Sequence, residues 1–433
     1  MSAVTPATDA TTATNDVATG GDGNVTENAT SDVTRLRRGA CPSLPAPMQT
    51  GDGLLARLQL LQPLTFEQLS GLARLARELG NGIIEVTARG KLQLRGLTSA
   101  GAPLLPEAVD ALGIVVPQGF PVEASALAGL DPAERFDPRP LAREISDRAA
   151  KLVLRLAPKA SVVVDGGGAL HLGALKADIG VTAGSGDNAL ILLANRPAGE
   201  IPLDRVPAIV VALLERLAAC GPAARMSNLL TEQGIEALRA EFALAPVSSI
   251  ESKPPAEPVG LHALNDGTFA LGLGLAFGQV EAEALQALAE AARAAGARHV
   301  EPAAGRALLV VGLSQEAANT LKNKASRLDF ITDPADPRRR VYACAGRPAC
   351  ASARLDTHAT AMRIAALARG CEVHVSGCIK GCAHPAPVAL TIVGLDEGAG
   401  IVVEGTPRSA PARVVPVSGL AQAVRELLEK EDA

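Results

Sequence analysis

Four of the chain's seven cysteines fall into one frame near its C-terminal end. Cys344 and Cys350 lie in CAGRPAC with five residues between them, and Cys378 and Cys382 lie in GCIKGC with three; 27 residues separate the pairs. Four thiolates carried on loops and helix ends form a soft, negatively charged pocket, which suits an iron–sulfur cluster. Gly377 and Gly381 flank the second pair, and glycine lets a backbone wrap closely round a bulky inorganic core. Spacing alone leaves three other readings open. Structural zinc also takes four cysteines, usually in tighter pairs. Disulfides need an oxidising compartment. An unliganded cysteine is a small buried hydrophobe.

Composition narrows the class of protein. At 433 residues, 48% of them apolar, the chain is too long for one core and suggests roughly two to four domains. There is no Trp, and Tyr342 is the one tyrosine, so platforms for stacking single-stranded bases are scarce. The net charge of −5 comes with no basic run suited to a phosphate backbone, which argues against a nucleic-acid partner. No uncharged apolar run is long enough to span a bilayer, and the N-terminus lacks a basic start followed by an apolar core. These features predict a cytoplasmic chain with no membrane partner, in a compartment where thiols stay free.

Residues 1–34 show neither helical nor strand periodicity and read as a disordered tail. Residues 35–105 then give strand, helix, strand. LLARLQLL (54–61) is the first strand, and Leu69, Leu72, Leu75, Ala76 and Leu79 recur at helical spacing until Gly80, Asn81 and Gly82 stop the helix. In IIEVTARGKLQLRGL (83–97), Arg89, Lys91, Gln93 and Arg95 fall on one strand face, opposite Leu92 and Leu94. Cations on one face repel unless something anionic lies there; the choices are a solvated face or a carboxylate-rich ligand. Residues 106–245 form an α/β lobe, with Gly166–Gly168 placed in a hairpin, and a Pro- and Ser-rich linker begins at 246.

Residues 269–313 align without gaps on 53–97, an offset of 216, so 246–320 carries a linker and a second copy of the first module. The copies differ in charge: Arg57 aligns with Leu273, Arg89 with Gly305 and Lys91 with Ala307. Residues 321–433 form a second α/β lobe holding the cysteine frame, with a helix between the pairs and CEVHVSGC bringing a strand to the second pair. The fold class is α+β: duplicated ferredoxin-like half-domains plus two larger α/β lobes.

A duplicated strand–helix–strand module, each copy followed by a lobe, with C-x5-C…C-x3-C in the last lobe and T-x-R…Q in copy one, resembles the nitrite/sulfite reductase family from about residue 35 onward. The resemblance implies a pseudo-two-fold architecture and a [4Fe–4S] cluster on Cys344, Cys350, Cys378 and Cys382, with Cys382 matching the cysteine that also bridges to sirohaem in the haem-using members. Those members carry two lysines one residue apart on a strand; here Lys159 matches the first and Ser161 holds the second place. RGACPSLPAPMQTGDGLL and IIEVTARGKLQLRGL are similar to the branch of the family that works in aerobic cobalamin synthesis.

That branch implies a monooxygenase hydroxylating a meso carbon of the anionic tetrapyrrole precorrin-3A with dioxygen, giving precorrin-3B with a lactone closed by a neighbouring acetate. It also implies a mononuclear non-haem iron and electrons from NADH. No G-x-G-x-x-G dinucleotide fold is visible, so a separate NADH-linked electron donor is expected. Arg57, Arg89, Lys91, Arg95 and Lys159 are the candidate clamps for substrate carboxylates. His374 and His384 bracket the second cysteine pair and are candidate iron ligands, each with a structural role as the alternative; Cys41 lies near the site or packs as a core thiol; Cys220 and Cys371 are structural. Two other functions remain: a sirohaem- and [4Fe–4S]-dependent sulfite or nitrite reductase, and a non-catalytic iron–sulfur electron carrier or tetrapyrrole-binding protein.

Overall fold

The computed structural model describes residues 42–431 apart from 118, 248–252 and 369; the expected tail and Cys41 lie outside the described residues. Copy one consists of β1 (Met48–Thr50), β2 (Gly53–Leu58), α1 (Phe66–Leu79), β3 (Ile83–Val86) and β4 (Leu92–Leu97), followed by α2 (Leu105–Ala111). The start of α1 is fixed by a reciprocal cap. The Thr65 side chain accepts from the Gln68 N–H, and the Gln68 side chain accepts from the Thr65 N–H. Leu69, Leu72, Leu75 and Ala76 then bury one stripe of the helix.

The first lobe holds β5 (Val122–Glu123), α3 (Pro138–Arg148), β6 (Val162–Asp165), β7 (Ile179–Ala183), β8 (Asn188–Leu193) and β9 (Arg196–Pro202). Helices α4 (Val206–Ala219), α5 (Met226–Gln233) and α6 (Ile235–Glu241) close it. Its strands run β5-β6-β7-β8-β9, the first three parallel. Gly166–Gly168 therefore does not turn a hairpin. It opens a crossover between parallel β6 and β7, which a tight turn cannot span.

Copy two consists of β10 (Gly260–Ala263), β11 (Phe269–Gly274), β12 (Gln279–Glu281), α7 (Ala282–Ala294), β13 (His299–Ala303) and β14 (Ala307–Leu313), with α8 (Gln315–Arg327) after it. The second lobe holds β15 (Val341–Ala343), α9 (Thr357–Ala365), β16 (Val373–Ser376), β17 (Val388–Leu395), β18 (Gly398–Gly405), β19 (Arg413–Val415) and α10 (Leu420–Glu431). Its strand order and directions repeat those of the first lobe.

The copies complete each other. Val280 of copy two pairs with Ile84 of copy one, and Leu64 of copy one pairs with Val300 of copy two. These two contacts interchange under the 216-residue offset, as a two-fold relation requires. Leu72 of α1 and its counterpart Leu288 of α7 lie in one continuous core with β2–β4, β11, β13 and β14. The offset does not hold everywhere. Ala56 pairs with Leu94, whereas Leu271 pairs with Val310, the counterpart of Leu94. The first strand is thus offset by 215, and copy two has one more residue before its helix. Arg57, opposite Gln93, corresponds to Gly272, opposite Leu309, and not to Leu273. The ungapped alignment slips because one residue inverts a strand's faces without altering its apolar content.

No helix among the described residues is long and apolar enough to cross a membrane. We expect Leu72→Ala and Leu288→Ala each to cost about 2–5 kcal/mol. Because the core is shared, both should melt the two copies in one cooperative transition by calorimetry. Separate transitions for the two halves would contradict a common core.

Candidate functional site

The cysteine loops leave the C-terminal ends of β15 and β16, adjacent parallel strands. Parallel neighbours release their loops at the same sheet edge, which is why residues 27 apart converge. The first loop is tied down by Thr357, whose hydroxyl donates to the Cys344 carbonyl at 2.5 Å, and by the Cys350 N–H donating to the Gly346 carbonyl at 2.7 Å. The Gly377 N–H donates to Cys344 Sγ at 3.3 Å. Burial pushes the Cys344 thiol up; the Gly377 and Gly346 N–H groups oppose it, and Cys350 and Cys378 are close enough to add to the rise. Cys382 stands on the exposed side of the same loop as Cys378. Cys350 and Cys378 lie near Cys344, and the Gly377 and Gly346 N–H groups turn to its sulfur; thiols so furnished, with Cys382 on the same loop as Cys378, suit an iron–sulfur cluster.

Copy one reaches this site directly. A Cβ on Gly51, in the β1–β2 turn, would lie 2.2 Å from Cys350 Sγ, and the Ala351 N–H donates to the Gly51 carbonyl at 3.3 Å. The next residue, Asp52, receives Arg95 at 3.0 and 2.9 Å. Arg95 also donates to Glu85 at 2.8 Å. Burial alone would lift the Asp52 carboxyl, but the Arg95 guanidinium outweighs it and holds the group below the ordinary carboxylate range. The charges of Arg95 and Glu85 extend to His358, which sits at the start of α9 beside Cys344 and whose Nε2 is buried without a partner.

Of the cationic residues of copy one, Arg95 is brought to the site through Asp52, while Arg89 and Lys91 turn to the first lobe, and most are already matched. Arg89 and Lys91 lie in the β3–β4 turn and not on a strand. Both pair with Glu123 of the first lobe, Arg89 through Nε, shared between the two oxygens at 3.0 and 2.8 Å, and through Nη2, and Lys91 at 2.9 Å. Arg95 is taken by Asp52 and Glu85. The anion that the crowded cations require is therefore supplied in part by the chain itself. Arg57 differs. With the Gln93 amide oriented by its hydrogen-bond partners, Arg57 donates to the Gln93 oxygen at 2.8 and 2.7 Å, and Gln93 donates to Glu85 at 3.3 Å. No carboxylate among the described residues pairs with Arg57. Lys159 is not part of this set. It is exposed on the turn ahead of β6, at the opposite end of that strand from the loop that approaches copy one.

The first lobe contains a cysteine-free counterpart of the cysteine site, which sequence reading missed. Val122–Val162–Ile179 and Val341–Val373–Leu390 occupy equal registers. Counting from them sets Ser125, Asp131, Gly167 and His171 at the places of Cys344, Cys350, Cys378 and Cys382. The backbone agrees. Asp131 N–H donates to Leu127 O at 3.1 Å as Cys350 does to Gly346, and Arg135 N–H donates to Gly166 O at 3.0 Å as Arg354 does to Gly377 at 2.7 Å. Asp137 and Asp356 cap the following helices alike.

The side chains do not agree. Leu127 and Leu170, at the places of Gly346 and Gly381, pack with Ala270, Ala307, Leu309 and Val311 of copy two into a dry core. Leu309 and Val311 correspond to Gln93 and Arg95, and the place of Arg57 is Gly272, where a Cβ would lie 1.6 Å from the Pro258 carbonyl oxygen. On one of the two equivalent faces leucine closes the contact with copy two, while Gly167 and His171 line a cavity of about 910 Å³ in the first lobe. The other keeps glycine on the loop side and polar groups on the sheet side.

His374 is fully buried on β16, both ring nitrogens lack partners, and burial, helped by His384, holds its pKa down at about 4. His374 and His384 meet edge-on at 6.1 Å between ring centroids. No third His, Cys, Asp or Glu among the described residues joins them to hold a single metal ion, so these residues do not fit a mononuclear iron. Cys220 is exposed at the end of α4, against the structural role expected for it, while Cys371 packs against the second lobe's core.

Known proteins share both the sequence and the fold. A model of the nitrite/sulfite reductase ferredoxin-like half domain matches residues 47–112. The chain is 39% identical to a precorrin-3B synthase of Sinorhizobium sp, over 91% of this chain and 89% of that one. It is 26% identical to a ferredoxin–nitrite reductase of Synechococcus elongatus, over 78% and 76% of the two chains. The solved structure of Mycobacterium tuberculosis NirA superposes with a TM-score of 0.66 at 20% identity, over 87% of this chain and 80% of that one, a likeness of fold.

The counterpart site gives a pH test. Glu134, at the place of Ala353, accepts from the Gly129 N–H at 2.6 Å and leaves its second oxygen unpaired. Burial, against the Gly129 bond but with Asp131, Asp137 and Asp165 nearby, pushes its carboxyl up to about 7. A folded value above the unfolded one means that folding favours the proton, so ionisation costs stability as pH rises from about 4.5 to about 7. Glu134→Gln should therefore gain thermal stability relative to wild type across that window and hold the gain above it. An unchanged difference between pH 4 and pH 8 would show that the carboxyl titrates normally.

Proposed function

The chain belongs to the precorrin-3B synthase family, within the nitrite/sulfite reductases, and from that premise we infer that it converts precorrin-3A into precorrin-3B in cobalamin biosynthesis, as a cytoplasmic monooxygenase. One atom of dioxygen enters the macrocycle and the other leaves as water; NADH gives two electrons through a separate donor, and a neighbouring acetate closes the lactone. The observation that carries this reading is the contrast between the two equivalent clefts: the one between copy one and the cysteine loops retains the groups a polycarboxylate macrocycle needs.

Cys344, Cys350, Cys378 and Cys382 are the proposed holders of a [4Fe–4S] cluster. Bound there, it supplies electrons one at a time, as dioxygen requires. The chain's own residues do the rest. Arg57, held flat by Gln93, presents a guanidinium to a substrate carboxylate with fork geometry. Arg89, Lys91 and Arg95 keep the wall positive and in place through Glu123, Asp52 and Glu85, and the substrate's acid groups add to or displace those partners. Lys159 is omitted from this set.

The test is an assay with precorrin-3A, a reductant and labelled dioxygen, in which the product should gain one labelled oxygen. A sirohaem absorbance band in the purified protein would favour a sulfite or nitrite reductase; a cluster with no oxygen uptake would favour a carrier. Cys378→Ser should lose cluster absorbance and activity together while far-ultraviolet circular dichroism is unchanged. Arg57→Ala should weaken precorrin-3A binding by about 2 kcal/mol, roughly 30-fold, with cluster content intact.

A further inference from the structure

Copy two, apolar over most of its face, contributes one cation to the cleft. Arg306 is at the tip of the β13–β14 hairpin with φ of 61°, in the left-handed region that side-chain-bearing residues avoid. Its counterpart in copy one is Gly90, with φ of 75°. Glycine suits this backbone and is used at the equivalent turn, so an arginine kept here is kept for its side chain.

That side chain crosses from copy two to the second lobe. Its stem passes the end of β3: a Cβ on Gly278 would lie 3.0 Å from Arg306 Cδ and 2.9 Å from the Val86 carbonyl oxygen. Nη1 donates to the Val341 carbonyl at 2.9 Å and Nη2 to the Arg339 carbonyl at 3.1 Å. The guanidinium carbon lies 4.5 Å from the centre of the Tyr342 ring. Tyr342 stacks at 4.2 Å on His384, two residues past Cys382, and is held by its hydroxyl bond to Glu372 at 2.8 Å. The charge of Glu85, on the polar face of copy one, also reaches the guanidinium. Arg306 therefore stands where the polar wall, the second cysteine loop and copy two meet.

Its charge is unmatched. Arg95, Arg89 and Lys91 each have carboxylate partners, whereas Arg306 has none among the described residues. Two carbonyls and an aromatic face satisfy part of the guanidinium, and of its five N–H groups two have hydrogen-bond partners among the described residues. A half-buried cation gains most from an anion that arrives with its own charge.

We propose that Arg306 is a substrate-binding residue contributed by the second copy, which receives a carboxylate of the tetrapyrrole from the side opposite Arg57, with Tyr342 as the platform that fixes its guanidinium. This deepens the tetrapyrrole reading of the cleft and rests on it. Arg57 and Arg306, both without carboxylate partners, then come one from each copy, and a polyacidic macrocycle bridges them.

Binding is measured without dioxygen on the cluster-loaded protein, by fluorescence quenching of uroporphyrin, a stable octacarboxylate macrocycle, and by titration with precorrin-3A. Arg306→Gly should weaken both probes at least tenfold with cluster absorbance unchanged, and Arg306→Lys should recover part of the loss. Thermal midpoints of both variants are read alongside. Equal affinity of wild type and Arg306→Gly overturns the proposal. So does a loss that Arg306→Lys does not recover at all, or a fall in thermal midpoint with affinity unchanged, which would mark Arg306 as a structural tie to the second lobe. If the wild-type protein binds neither probe, the tetrapyrrole reading fails and this proposal fails with it.

Discussion

The exchange of strand pairing between the two copies is the constraint on which the architecture rests. Ile84 of copy one needs Val280 of copy two, and Val300 of copy two needs Leu64 of copy one. An unpaired strand edge leaves backbone groups without partners, so neither copy is complete without the other. The exchange fixes α1 against α7 over one core. It also decides which lobe each sheet faces: the first lobe packs Leu127 and Leu170 onto copy two, and the cysteine loop of the second lobe meets the Gly51 turn of copy one. Each copy thus faces the lobe that follows its partner in sequence.

Within that frame the two clefts have diverged by a handful of side chains. Leucine at 127 and 170 with Leu309 and Val311 opposite gives an apolar seal, stabilised by burial alone. Glycine at 346 and 381 with Gln93 and Arg95 opposite leaves polar groups that cannot be buried against an apolar loop without a severe desolvation cost. The chain offsets that cost partly with its own carboxylates, Asp52, Glu85 and Glu123, each held by a cation. Burial lifts the Glu123 carboxyl, but Arg89 and Lys91 outweigh it and keep the group ionised. The polar cleft is stable as it stands and still holds more positive than negative groups.

Much of this was legible in the sequence because the signals were long-period or local. The α1 helix was marked by Leu69, Leu72, Leu75 and Gly80, and the duplication by 45 aligned residues. The cysteine frame was legible because thiols are few. What escaped reading depended on pairing. The Gly166–Gly168 crossover looked like a hairpin because parallel and antiparallel strands share one composition. The one-residue slip that sets Arg57 opposite Gln93 appears only in the strand register. The surroundings of Arg306 are invisible in the sequence because they come from a lobe folded against its turn, and a motif match at Lys159 says nothing of which strand end a lysine occupies. The resemblance of the two lobes is hidden because the counterparts of the cysteines are Ser125, Asp131, Gly167 and His171, none of which is a thiol.

The β1–β2 turn joins two neighbours that are otherwise chemically separate. Gly51 touches the sulfur of Cys350 and Asp52 grips Arg95, so adjacent residues of one turn lean on the cysteine loop and on the charged wall. Loop and wall are thereby joined across a single Cα–Cα link. Any side chain at position 51 would therefore have to part the two, because its first carbon would take the space of the Cys350 sulfur.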